Sequence, residues 1–248
     1  MRCRPRSDRA MTGPTPRTRG AELLLARISA AAGRARLGRR RATYPATAHR
    51  PRARRGPFRA VLLLADLARR GGSIASRASP NARLDLYEHG ATVALNGRIH
   101  VVRYDTTAMF RHRTRSRGAA PSGTAVLHTL TDVDRRHLVL RGGPDGGEPP
   151  AWEAELQRAV ISAQLPGALA ALQRGQRLSF GDVWLTREQV GSGGRCTSWS
   201  QVQRIGVQDG FLVLTTGGEQ HRWGPESRIP NPFVFWALVE RHRTDDTR

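Results

Sequence analysis

The chain contains no lysine: all 41 of its basic residues are arginine. Taken alone, that absence suggests selection for the guanidinium group, whose planar fork grips phosphate or carboxylate at two points. Lysine is also missing from the near-neutral C-terminal part, however, and a GC-rich coding bias of the bacterial kind produces the same pattern. Cysteine is almost absent. Cys3 and Cys196 are too few for a disulfide framework or a zinc site, and they suit a reducing compartment. Aromatic residues are scarce at 6%, and only Tyr44 and Phe58 interleave the N-terminal arginines, so base stacking by this segment is not expected. Long apolar runs are missing too. The longest, Val61-Leu62-Leu63-Leu64-Ala65, stops at Asp66, far short of the roughly 20 residues a membrane span needs. The opening MRCRPRSDRA has no apolar core, so no secretory signal is expected, and Met11 is an alternative start.

Acidic residues are missing from one end only. Residues 1–80 carry 20 Arg against Asp8, Glu22 and Asp66, a net charge of +17, whereas residues 81–248 carry 21 Arg against 17 acids, a net charge of +4. The overall +21 therefore belongs to an N-terminal arm, and the remainder has an ordinary globular balance. Residues 1–20 lack periodicity, 21–32 fit a short helix with Leu24, Ile28 and Ala31 on one face, and 33–57 return to Arg, Pro and Gly. The whole of 1–57 is expected to be a disordered Arg-rich arm, removable without unfolding the rest. Residues 58–70 form a second helical stretch, which with a linker to 81 leads into the ordered part.

From 82 onward the pattern is β-rich. Strands are predicted at 84–87, 91–95, 98–104, 107–112, 124–131 and 136–141. Asn96-Gly97 is a two-residue hairpin turn needing positive φ at both positions. A helix follows from Pro150 or Ala151, with Trp152, Leu156, Ala159, Val160 and Ala163 on one face. Pro166 is expected to interrupt it before a second short helix ending near Gly175. The pattern then restarts with a strand from Leu178 to Thr186, a turn at Gly191-Ser192-Gly193-Gly194, a bent strand from Trp199 to Val207, and a second hairpin at Asp209-Gly210. Two further strands lead to Asn231, read as the N-cap of a closing helix with Pro232 at its first position. Trp184, Trp199, Trp223 and Trp236 are expected in the core.

Catalytic and metal-binding patterns are absent. None of the eight histidines forms an H-x-x-x-H pair, no G-x-S-x-G elbow occurs, and the glycine run at 191–194 lacks the lysine of a phosphate loop. His100 and His112 alternate with apolar residues and are expected to face solvent. No catalytic residue, metal or cofactor is assigned. Arg111, Arg113, Arg115 and Arg117 stand at alternate positions of an extended hairpin, so they would share one face. They are the candidate anion-binding residues.

The segments LYEHG (86–90), RIHVVRYDTT (98–107), AQLPGALAALQRG (163–175), FGDVWLTREQVGSGGR (180–195), WSQVQRI (199–205) and RIPNPFVFWAL (228–238) resemble an uncharacterised actinobacterial family, a domain of unknown function. The second half is also similar to bacterial pleckstrin-homology-like domains, in which a W-S-x-V strand precedes a D-G hairpin and a closing helix. The polar stretch 217–231 departs from that pattern. The resemblance implies an α+β, mostly β fold: two tandem pleckstrin-homology-like split barrels, each closed by a helix, over 82–175 and 176–243 with a short tail at 244–248. It implies no activity. The expected role is a non-enzymatic, cytoplasmic interaction protein, peripheral at the inner face of the membrane, with an anionic lipid surface or another protein as partner. Non-specific nucleic-acid binding through the arm is the alternative.

Overall fold

Residues 18–50, 79–115, 124–144 and 148–245 are described by a computed structural model of the chain. Helix α1 (Arg19–Arg34) begins where the Thr18 side chain accepts from the Ala21 N–H, and it turns Ile28, Ala31 and Ala32 inward. After it the chain reverses through Arg36 and Gly38, both at positive φ, into strand β1 (Arg40–His49). This corrects the expectation of a disordered arm through residue 57, since α1 and β1 are both ordered parts of the fold. The weak alternation Ala42, Tyr44, Ala46, Ala48 is the strand's inward face, with Ala46 and Ala48 buried. The helical reading of 58–70 falls outside the described residues.

Strand β1 joins two meanders. Along one edge it pairs antiparallel with β2 (Ser79–Tyr87), and at its end Ala48 and His49 pair with Leu140 and Val139 of β7 (His137–Pro144). Strands β3 (Gly90–Leu95) and β4 (Arg98–Arg103) continue from β2 through the Asn96-Gly97 turn, which has the positive φ values expected of it. Strands β5 (Met109–Arg115) and β6 (Thr124–Thr131) complete the other side. The result is one seven-stranded sheet in the order β4-β3-β2-β1-β7-β6-β5. Register shifts between Ala46 and Ala48, and between Ala125 and Leu127, mark bulges of the kind that sharpen twist and let a sheet curl. Leu84, Leu86, Val93, Val102, Leu130 and Leu138 line the inner face. Helix α1 covers part of the outer face, packing Ile28 and Ala32 on Tyr87, Ala94, Ile99 and Val101.

Helix α2 runs unbroken from Ala151 to Gln173 and contains Pro166. The expected interruption does not occur. Pro166 and Gly167 are exposed, so the lost backbone bond falls on the solvent side, where a helix tolerates stretching. The two ends of the helix are held by core packing, Trp152, Leu156 and Val160 at one end and Leu172 at the other. The predicted strand at 178–186 is a tight hairpin, β8 (Leu178–Phe180) and β9 (Val183–Leu185), turning at Gly181 with φ +69°. Strands β10 (Gln189–Ser192) and β11 (Arg195–Ser198) complete a four-stranded sheet. Gly191 lies inside β10 rather than in the turn, and a Cβ there would collide with the Trp184 ring. Strands β12 (Val202–Gln208), β13 (Phe211–Thr216) and β14 (Glu219–Pro225) form a three-stranded sheet before the closing helix α3 (Pro232–Asp245). The polar stretch after Gly217 thus pairs in register with β13. Four strands, three strands and a long helix occur twice along the chain, and one continuous cluster of buried side chains from Ala46 to Val239 serves both passages.

Asn231 was expected to cap α3. Its backbone carbonyl does accept from Val234 and Phe235, but its side chain turns away from the helix. The side-chain oxygen accepts from the Met109 N–H at 2.8 Å, and the amide donates to Thr107 O at 3.0 Å and to Gln164 Oε1 at 2.8 Å. Its own N–H donates to Met109 O at 2.6 Å. The residue therefore ties β5, α2 and α3 together from a φ of +49°, a conformation that asparagine tolerates better than most residues.

Trp199 opens a 3-10 turn, Trp199–Gln201, rather than heading a strand. It is buried, donates from Nε1 to Thr186 O at 3.1 Å and stacks on His242 with ring centres 4.6 Å apart. Trp184, Trp223 and Trp236 are only half-buried. Trp199→Ala is expected to cost about 3–5 kcal/mol of stability in denaturant unfolding. A shift under about 1 kcal/mol, the scale of a surface change, would show that the ring does not anchor the second half.

Candidate functional site

The β5 arginines divide on the strand. Arg111 and Arg113 leave the face that Met109 shares, opposite His128 and Val126 of β6, and the backbone of Arg115 sits opposite Thr124. Arg117 lies outside the described residues. Arg111 is half-buried and Arg113 is exposed, so these positions do not form a uniform solvent-facing stripe. The positive charge of Arg111 acts on a buried carboxylate, that of Glu153.

That carboxylate belongs to a polar group within the first half. His128 Nε2 lies 2.8 Å from Glu153 Oε1, and both side chains are buried. Glu153 also accepts from the Gly143 N–H and from Gln157 Nε2, each at 3.3 Å. A Cβ on Gly142 would stand 2.5 Å from Glu153 Oε2, so the Gly142-Gly143 pair is the seat of this pairing. Burial pushes the Glu153 carboxyl up. His128, the Gly143 N–H and Arg111 outweigh burial and hold it below its ordinary value. The ring of His128 also meets Trp152 edge-on at 5.8 Å.

Two other histidines correct the sequence reading. His100 and His112 were expected to face solvent, and both are buried. Curling of the sheet sends His100 inward with Val102, where its Nδ1 lies 2.9 Å from Asp132 Oδ2. Asp132 further accepts from the N–H groups of Asp134 and Arg136. Burial pushes the Asp132 carboxyl up, and these donors bring it below its usual range. His112 has no carboxylate against it. Burial first, and repulsion from His128 second, push it down to about 4. The His128–Glu153 and His100–Asp132 pairs are buried, so they read as supports for the curled sheet. Among the described residues, no group of three or more His, Cys, Asp or Glu is placed to hold a metal ion.

An open feature among the described residues is a groove of about 690 Å³ between α1 and β4. Helix α1 runs alongside the strand from the Asn96-Gly97 turn, where Arg27 donates to Gly97 O at 2.8 Å, to its far end, where Arg103 donates to Ala35 O at 3.0 Å. Ala31, Ile99 and Val101 supply apolar lining, and Arg27, Arg34, Arg36 and Arg103 supply charge. Val133, at the tip of the β6–β7 turn, closes one side by donating its N–H to Val101 O. Arg103 is neutralised by Asp105 through two contacts at 2.7 and 3.1 Å, which raise its already high pKa. In sequence the helix was legible from Leu24, Ile28 and Ala31 on one face. The strand it faces was not, because no local signal pairs a helix with an edge strand 70 residues away.

A family model described as a family of unknown function, DUF6585, matches residues 74–248. The chain belongs to that family. The DUF6585 match begins beyond β1, so α1 and β1, which supply one wall of the groove and the joining strand of the large sheet, lie upstream of it. No curated protein and no solved structure matches the chain. Among the described residues no helix is long and apolar enough to cross a membrane.

The depressed His112 generates a pH dependence with a definite sign. Unfolded, its imidazole takes up a proton near pH 6.5. Folded, it stays neutral down to about pH 4. Between these values the unfolded chain binds the extra proton, so stability falls as the pH falls. Unfolding free energies at pH 7 and pH 5 should differ by about 2 kcal/mol from this group, and His112→Gln should remove most of that part. An identical loss in the variant would show that His112 titrates normally.

Proposed function

We propose that this chain is a non-catalytic interaction protein, built of two pleckstrin-homology-like modules in tandem, that attaches peripherally to an anionic lipid surface at the inner face of a membrane. The modular part of this reading is supported by the repeated order of four strands, three strands and a helix. The lipid part is supported above all by charge placement. The net +17 lies in residues 1–80, and the described portion of that segment fixes part of it on one surface. Arg19, Arg27 and Arg34 are exposed on α1, which also bears Leu23 at 59% exposure, one of two large apolar side chains so exposed among the described residues. Basic residues near an anionic leaflet contribute roughly 1 kcal/mol each, and a modest apolar contact beside them supplies the second signal that reversible attachment needs.

Co-sedimentation with vesicles tests this reading. The full chain should bind phosphatidylserine-containing vesicles at low salt, leave them at high salt as the Debye length falls from about 10 Å at 0.1 M to about 3 Å at 1 M, and ignore phosphatidylcholine vesicles. Absence of binding at low salt would overturn it. So would duplex DNA stripping the protein from the vesicles at equal charge concentration, which would favour the nucleic-acid alternative.

A further inference from the structure

We infer that the groove between α1 and β4 is a seat for the phosphate headgroup of an anionic phospholipid. The inference rests on the membrane reading above and gives it a defined site. Three guanidiniums line the groove without a carboxylate partner among the described residues: Arg27, Arg34 and Arg36. The fourth, Arg103, is occupied by Asp105. The acid in the lining, Asp134, lies 3.0 Å from Arg136. The groove therefore keeps an excess of positive charge over an apolar lining, which is complementary to a phosphate attached to acyl chains. A duplex backbone offers the charge without the apolar part.

The second observation is conformational. Arg36 follows the α1 terminus at φ +54°, in the left-handed region where helices ordinarily place glycine. An arginine there is strained relative to glycine. Arg34 in the last turn already complements the negative end of the helix, so the local fold does not need Arg36 for charge. Strain at a residue whose guanidinium lines the groove fits a role in contacts outside the chain.

A third feature orients the seat. Leu23 lies one turn before Arg27 on the same helical stripe, and Val133, 50% exposed, lines the groove. Both are placed to enter the interfacial region when the arginines meet headgroups.

The test exploits the strain. Arg36→Gly should raise the melting temperature, because glycine relieves the left-handed backbone, yet weaken binding to phosphatidylserine vesicles about fivefold, the loss of one basic contact. The triple variant Arg27→Gln, Arg34→Gln, Arg36→Gly should weaken it by more than about tenfold. A control triple on the second half, Arg187→Gln, Arg195→Gln and Arg204→Gln, removes the same charge from exposed positions and should change binding less than about threefold. Equal losses in the two triples would show that net charge alone governs attachment and would overturn the groove while leaving the membrane reading intact. Arg36→Gly that is more stable and binds unchanged would also overturn it. Failure of the unaltered chain to bind is the distinct outcome that sinks the membrane reading itself.

Discussion

Asn231 takes part in four hydrogen bonds that no helix requires: one from its main-chain N–H and three through its side-chain amide. Through Met109 it fixes the start of β5, through Thr107 the loop before it, and through Gln164 the middle of α2. Gln164 in turn donates to Tyr104 O and Thr107 O at 2.7 and 3.0 Å. The loop 104–108 has no ladder of its own, and a buried backbone carbonyl without a partner costs about 1–3 kcal/mol. Two amide side chains supply those partners. The entry of α3, the course of α2 and the start of β5 are thereby fixed relative to one another. The apolar core can then be continuous, with Phe180 and Phe235 meeting edge-on at 5.4 Å within the same cluster that holds Leu84 and Leu138.

The first half depends in a similar way on a strand with little apolar content. Strand β1 contains Pro45, which cannot donate to a ladder and is normally confined to edges or bulges. It is tolerated because β1 meets β7 only at Ala48 and His49, so over most of its length one side carries no ladder. Asp85, fully buried on β2, collects Thr43 Oγ1 at 2.6 Å and two contacts from Arg83. Arg40 of the N-terminal segment joins Arg83 at that carboxylate, whereas Arg27, Arg34 and Arg36 stay with the groove.

What the sequence reveals follows from the range of each signal. The hairpins at Asn96-Gly97 and Asp209-Gly210 were legible because positive φ at two successive residues is a local demand. The strand over Thr124–Thr131 and the start of α2 were legible from period-two and helical spacing. Strand β1 was not, because its inward residues are alanines and a tyrosine among arginines, giving almost no contrast. The burial of His100, His112 and His128 was hidden for a different reason. Each is paired or shielded by residues between 16 and 32 positions away, Asp132, His128 and Glu153 among them, and spacing carries no trace of such partners. Arg111 stands out by spacing as an anion ligand, and its half-burial near the Glu153 carboxylate is a product of packing that spacing does not carry. The groove arginines were read as an undifferentiated arm because the wall opposite them is built from β4.

The claim that the two halves are locked into one body by side-chain amides is tested most directly by a double-mutant cycle on Asn231 and Gln164, read by equilibrium denaturant unfolding. Asn231→Leu and Gln164→Leu should each cost about 1–3 kcal/mol, because each leaves backbone groups of residues 104–109 without partners. Their combination should depart from additivity by more than about 0.5 kcal/mol, as expected for residues that share a hydrogen bond. Additive effects within about 0.3 kcal/mol, the behaviour of independent sites, would contradict the account and leave the two halves joined by apolar packing alone.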